Sequence, residues 1–124
     1  MLHGESRFQQ AAVRMLRNNG YFCFSVPNGA KLSQSQARIS KAEGVMKGVS
    51  DLIILLPHEP IFVEFKNPNG KGRQSPEQKA FEQAVKDLGY RYFVWDSWEK
   101  VEQFINSYKD YTRQELKIGG TNND

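Results

Sequence analysis

Two apolar runs, Leu52–Leu56 and Ile61–Phe65, joined by Pro57-His58-Glu59-Pro60, constrain this chain more than any other feature. Runs rich in β-branched and aromatic residues, split by a short Pro-bracketed turn, predict a β-hairpin. With Leu56 paired to Ile61, counting along the ladder sets Asp51 opposite Lys66 and Ile53 opposite Glu64. Cross-strand partners share a face, and so do residues two apart on one strand. Asp51, Glu64 and Lys66 are therefore expected on one side of the sheet. Two carboxylates and an ammonium beside apolar side chains are costly to desolvate unless something binds among them. A divalent metal ion and a phosphate would offset that cost.

The flanking sequence predicts what this hairpin packs against. A first helix is expected from about Gly4 to Asn19, with Phe8, Ala11, Ala12, Met15 and Leu16 on one face and Gly20 as its stop. Tyr21–Val26 reads as a strand ended by Pro27-Asn28-Gly29, and a short helix after Ser33 fits the polar stretch to Glu43. Beyond the hairpin, Asn67–Gly72 is a loop. Ser75, Pro76 and Gln78 supply an N-cap, a first helical residue and a capping box. The helix they open should bury Ala80, Phe81, Ala84, Val85 and Leu88. Arg91–Trp95 is a fourth strand, and Ser97 caps a last helix packed through Val101, Phe104, Ile105 and Tyr108. The order α-β-(α)-β-β-α-β-α implies an α/β fold with a mixed four-stranded sheet flanked by helices. Residues 1–109 form the expected domain, and the polar stretch 110–124 a disordered tail.

At 124 residues, 39% of them hydrophobic, the chain can build one modest core. No apolar run is long enough to span a membrane, and no signal peptide precedes the first helix. A lone Cys23 excludes an internal disulfide and suggests a reducing, cytoplasmic setting. The net charge of +3 is mild, but its distribution is uneven. Lys31, Arg38 and Lys41 form one acid-free run, and Lys66, Lys71 and Arg73 another. Both flank the expected acidic cluster, as a phosphate-backbone footprint would. His3 and His58 form no zinc pattern, and no Gly-rich nucleotide loop or nucleophile elbow occurs, so neither ATP use nor acyl chemistry is suggested. Glu5 continues the apolar stripe of the first helix, where it can face a site shared with the sheet or simply complement the helix dipole.

An acid opening one strand followed by Glu-x-Lys on the next is the spacing of the PD-(D/E)xK nuclease core. Gly44-Val-Met-Lys-Gly-Val-Ser-Asp51, Val63-Glu64-Phe65-Lys66 and Ser75-Pro-Glu-Gln78, with Glu5 and Tyr92–Trp95, together resemble the VRR-NUC family across roughly residues 1–105. Ser50 departs from the pattern, since Pro is common at that position. The resemblance implies a restriction-endonuclease-like fold and a Mg²⁺- or Mn²⁺-dependent DNA endonuclease. It implies metal binding by Glu5, Asp51, Glu64 and the Phe65 carbonyl, and activation of water by Lys66. Lys66 could otherwise form a plain salt bridge to Asp51. For Gln78 the sequence leaves open both the helix cap and a contact with phosphate or metal-bound water. Lys47, Lys71 and Arg73 are candidate DNA contacts, Gln9 a candidate cleft residue, and the turn amides of Asn28 and Gly29 a weaker one. The small stand-alone phage-type members imply a homodimer cutting four-way (Holliday) junctions, with Tyr21, Phe22 and the last helix as interface candidates. The alternatives are a flap nuclease or nickase in phage replication and repair, and a non-catalytic DNA-binding module.

Overall fold

The computed structural model describes residues 3–27 and 33–108. Helix α1 (His3–Asn18) leads to strand β1 (Phe22–Ser25), helix α2 (Gln34–Ala42) and the hairpin β2 (Leu52–Leu56) and β3 (Glu59–Phe65). Helix α3 (Pro76–Asp87) crosses over to strand β4 (Arg91–Trp95), and a helix α4 follows at residues 98–108. The sheet runs β1-β2-β3-β4. Its first three strands are antiparallel, and β4 lies parallel to β3. The α/β architecture with a mixed sheet is the expected one. The stretch 110–124, Asn28, Gly29 and Lys31 lie outside the described residues.

Side-chain alternation divides the sheet into two unlike faces. Leu52, Ile54, Leu56, Ile61, Val63, Phe65 and Trp95 point to one of them and are buried. Phe8, Ala12 and Leu16 of α1 and Val101, Phe104 and Ile105 of α4 close over that face. Tyr21 is buried in the same core and donates its hydroxyl to the Ile105 carbonyl at 3.1 Å. It is thus a core residue and offers nothing to an interface, while its neighbour Phe22 is 67% exposed.

Two expectations need correction. The hairpin register is Leu56↔Glu59 and Leu52↔Val63, because the turn is only Pro57-His58. Pro60 sits inside β3 opposite Leu55, near the strand's start, where a missing N–H is tolerated. Extending the ladder places Asp51 opposite Glu64 instead of Lys66. A slip of two residues preserves faces, because the side-chain period is two. The second correction concerns α3, which has only Val85 fully buried. Ala80 and Ala84 are exposed, and Leu88 is 75% exposed. The face toward the sheet instead carries Gln78, Phe81, Glu82 and Val85, with Phe81 stacked edge-on against Phe62 and Tyr92. Trp98 at the start of α4 is partly exposed, and its ring meets Phe8 at 5.8 Å.

Helix α2 buries none of its residues. It stands on its own termini: a Ser33–Gln36 capping box opens it. Gly44 at φ 105° closes it, with Val45 N–H bonding to the Ser40 carbonyl and Gly44 N–H to that of Lys41.

Candidate active site

The polar half of the α3-facing side begins where β2 opens. Asp51 accepts a 2.7 Å hydrogen bond from the Phe65 backbone N–H, which fixes its carboxylate against the end of β3. Burial pushes its pKa up to about 6, against the Phe65 N–H bond that lowers it. The charges of Glu5 and Glu64 push it further up, and that of Lys66 pulls it down. Two acids and one base are thus within electrostatic reach of Asp51. Glu5 is brought there because α1 starts against the strand end: a Cβ on Gly4 would meet the Asn67 amide at 2.9 Å.

Glu64 is only 1% exposed, in the middle of a hydrogen-bond network. Its Oε1 accepts from the Tyr92 hydroxyl at 2.7 Å and from the Gln74 amide at 3.0 Å. Its Oε2 makes no aligned hydrogen bond and has the Lys66 ammonium 3.1 Å away as its counter-charge. Lys66 therefore pairs with Glu64, two residues before it, and the alternative of a cross-hairpin bridge to Asp51 does not form. Its Nζ also donates to the Arg73 carbonyl at 2.9 Å and to Gln78 Oε1 at 3.0 Å.

Gln78 forms the helix cap that the sequence offered and with the same oxygen reaches Lys66. Its Oε1 accepts from the Ser75 N–H at 2.8 Å, completing the capping box, and from Lys66. Two donors on one atom settle which end of the amide is oxygen. The helix cap is thereby a clamp on the lysine. Gly48 ties a further loop to the same place. Its φ is +85°, and a Cβ there would run into the Glu77 carbonyl and the Gln78 nitrogen. Only glycine lets the 44–50 loop pass so close to α3, which sets exposed Lys47 at the rim.

Lys71 and Arg73 are exposed on the loop between β3 and α3. That loop folds over Lys66, since a Cβ on Gly72 would touch the lysine's methylenes at 3.1–3.2 Å. Gln9 buries its Oε1 without a hydrogen-bond partner. It lines an open cleft with Ser6, Gln10, Arg14, Arg17 and Ser25, and none of Asp51, Glu64 or Lys66 lines that cleft. Three participants escaped the sequence: Gln74, Tyr92 and Glu82, whose carboxylate accepts from Gln74 at 2.7 Å. Strand alternation would have found Tyr92, which shares the face of Val94 and opposes Phe93 and Trp95. Nothing in the pattern marks Gln74 or Glu82.

Residues 4–98 match the VRR-NUC domain. The chain belongs to the VRR-NUC family. No curated protein matches it. A solved structure described as a VRR-NUC domain protein aligns with 90% of this chain and 92% of its own at a TM-score of 0.71 and 20% identity. Another, a VRR-NUC domain, aligns with 86% of this chain and 99% of its own at 0.64 and 23%. At such identities the likeness is one of fold. It agrees with a restriction-endonuclease-like core, and the VRR-NUC match makes this a domain of the nuclease superfamily acting on DNA.

The donor set fits a hard divalent cation. Asp51 and Glu64 offer two carboxylates on one face, one with its pKa pushed up to about 6 by burial and one with an oxygen lacking any aligned hydrogen bond. Among the described residues no three His, Cys, Asp or Glu side chains draw close enough to hold an ion alone. That composition suits Mg²⁺ or Mn²⁺, which keep several waters and lean on one or two carboxylates.

Proposed function

We propose that this VRR-NUC domain is a metal-dependent, structure-selective DNA endonuclease. The observation that carries this reading is the Asp51–Glu64–Lys66 cluster on the α3-facing side, with the ammonium clamped by Gln78 and Glu64. Asp51 and Glu64 would hold the ion, joined by the Phe65 carbonyl and Glu5. When bound, the ion supplies Lewis-acid polarisation of the phosphoryl oxygens and a more acidic water. Lys66 orients the attacking water and balances charge at the phosphate, while Gln78 holds the lysine at a fixed distance. Lys47, Lys71 and Arg73 meet the backbone phosphates on either side of the scissile bond. Retention of all three charged residues argues against a non-catalytic module.

The preferred substrate in this reading is a four-way junction, cut by a C₂ homodimer in the cytoplasm. Two equivalent strands call for two equivalent sites, and two-fold closure is the commonest way to present them. Edge strand β1 supports such an assembly. Phe22 and Phe24 (67% and 39% exposed) pack edge to face, and Phe22 pairs in register with exposed Leu55. Helix α3 does not cover this patch, and contiguous exposed apolar surface marks interaction sites. The test is cleavage of labelled linear, nicked, flap and four-way-junction DNA in Mg²⁺, Mn²⁺ or EDTA, with light scattering on the same sample. Paired cuts in junctions by a dimer, lost in EDTA, are expected. A monomer preferring flaps would favour a flap nuclease, and DNA binding without cleavage would overturn the enzyme reading.

A further inference from the structure

Glu64 is the least exposed charged residue of the site, and its two oxygens stand in different surroundings. Oε1 takes two neutral donors, the Tyr92 hydroxyl at 2.7 Å and the Gln74 amide at 3.0 Å, while Oε2 faces Lys66 alone. The Gln74 amide is itself tied down, because the same nitrogen donates to Glu82 at 2.7 Å. Both of its hydrogens are therefore committed, and Glu82 is in turn held by Lys86 one helical turn on. Tyr92 is fixed by its ring, which packs on Phe81.

We propose that Tyr92 and Gln74 are positioning residues that engage Oε1 of Glu64 and so leave Oε2 as its single metal-facing oxygen, with Glu82 setting the orientation of Gln74. Glu64 then binds a cation through one oxygen only. An oxygen already accepting two hydrogen bonds has no lone pair left for a metal, and a carboxylate held in this way cannot swing to a two-oxygen grip. Outer partners of this kind orient a ligand and commonly change metal affinity or activity 10- to 100-fold when lost. The proposal rests on the two-carboxylate metal site proposed above.

The test is Mn²⁺ binding to metal-free full-length protein without DNA, read by titration calorimetry and by the EPR signal of free Mn²⁺. Thermal melting of the same samples serves as the check on folding. Tyr92→Phe keeps the ring and removes the donor; it should weaken Mn²⁺ binding about tenfold or more. Gln74→Leu should do likewise, and it carries the test if Tyr92→Phe fails to fold. Glu82→Leu should weaken binding, whereas Glu82→Gln, which keeps an acceptor for the Gln74 amide, should restore most of it. Unchanged Mn²⁺ affinity in a folded Tyr92→Phe or Gln74→Leu protein would overturn the positioning role. Asp51→Asn is the control on the site itself: if it binds Mn²⁺ as the unaltered protein does, the two-carboxylate site falls and the positioning role falls with it.

Discussion

The two faces of one small sheet obey opposite rules. Under α1 and α4, alternate residues of β2, β3 and β4 meet in a dry, almost fully buried layer. On the other side Asp51, Glu64, Lys66 and Tyr92 gather, while edge strand β1 leaves Phe22 and Phe24 uncovered beside Leu55. Helix α3 covers only the middle, through Phe81 and Val85. Neighbouring residues of one strand thus serve different ends: Val63 and Phe65 stabilise, and Glu64 between them is held ready at a cost. The first face supplies the rigidity that the second needs, because an active-site carboxylate is only as well placed as the strand that carries it.

The comparison breaks most sharply under paired substitution. Asp51→Asn, Glu64→Gln and Lys66→Ala should each lower cleavage about a hundred- to a thousandfold, the loss expected when a group that stabilises transition-state charge is removed. DNA binding measured in EDTA should persist. Across the sheet, Leu52→Ala and Trp95→Ala remove fully buried side chains. They should cost about 2–5 kcal/mol in denaturant unfolding, with activity falling only as the folded fraction falls. A Leu52→Ala protein that is stable yet inactive would mean that the division between the faces is wrong.

Much of this division was legible in the sequence. Alternation in Leu52–Leu56 and Ile61–Phe65 puts Asp51, Glu64 and Lys66 on one side, and a turn shorter by two residues leaves that side unchanged. Pro60 makes the turn look longer than it is: a proline beside a turn resembles part of it, and only the ladder shows that it lies within β3. The stripe on α3 failed for another reason. Hydrophobic period alone favoured Ala80, Ala84 and Leu88, but an alanine contributes little to burial. The side that faces the sheet was chosen by Phe81 and by the polar network through Gln78 and Glu82. Gln74 was invisible because its partners, Glu64 and Glu82, lie on different elements. Such a bridge exists only once α3 has folded back over the sheet.

A smaller effect separates the faces by pH. Asp51 has its folded pKa raised from 3.8 to about 6, mainly by burial. The folded state therefore binds a proton more tightly than the unfolded chain. Stability from this residue is fully present below about pH 4 and is lost as pH rises through about 6. In metal-free protein Asp51→Asn should leave unfolding free energy unchanged near pH 4 and raise it above pH 7. The gain should be on the order of 2–3 kcal/mol, at about 1.4 kcal/mol per pKa unit. The asparagine can still accept the Phe65 N–H bond, so the comparison isolates the charge. Glu64→Gln should show no such gain, because it leaves the Lys66 ammonium without its counter-charge. Added Mn²⁺ should shrink the difference between the parent protein and Asp51→Asn, since only the parent gains by binding it. A flat stability difference from pH 4 to 8 would show that Asp51 is not desolvated as its surroundings imply.

The smallest effect concerns the loop that closes the polar end. Lys71 and Arg73 are exposed, and Arg73 meets the site only through its carbonyl, which accepts from Lys66. Their side chains are therefore free to act on substrate without holding the fold. Replacing both by Ala should leave melting within the narrow range of a surface change. Binding should weaken on all duplex sequences alike, because a phosphate contact carries no base information. Each lost contact should flatten the slope of log affinity against log salt by about 0.9. The double variant measured in EDTA, where cleavage cannot deplete the substrate, isolates this term. A slope change near 1.8 would place both side chains on the backbone, and one near 0.9 only one of them. No change would return this loop to a purely structural part, a cover for Lys66 whose basic residues face solvent and whose essential feature is the Gly72 backbone lying against the lysine.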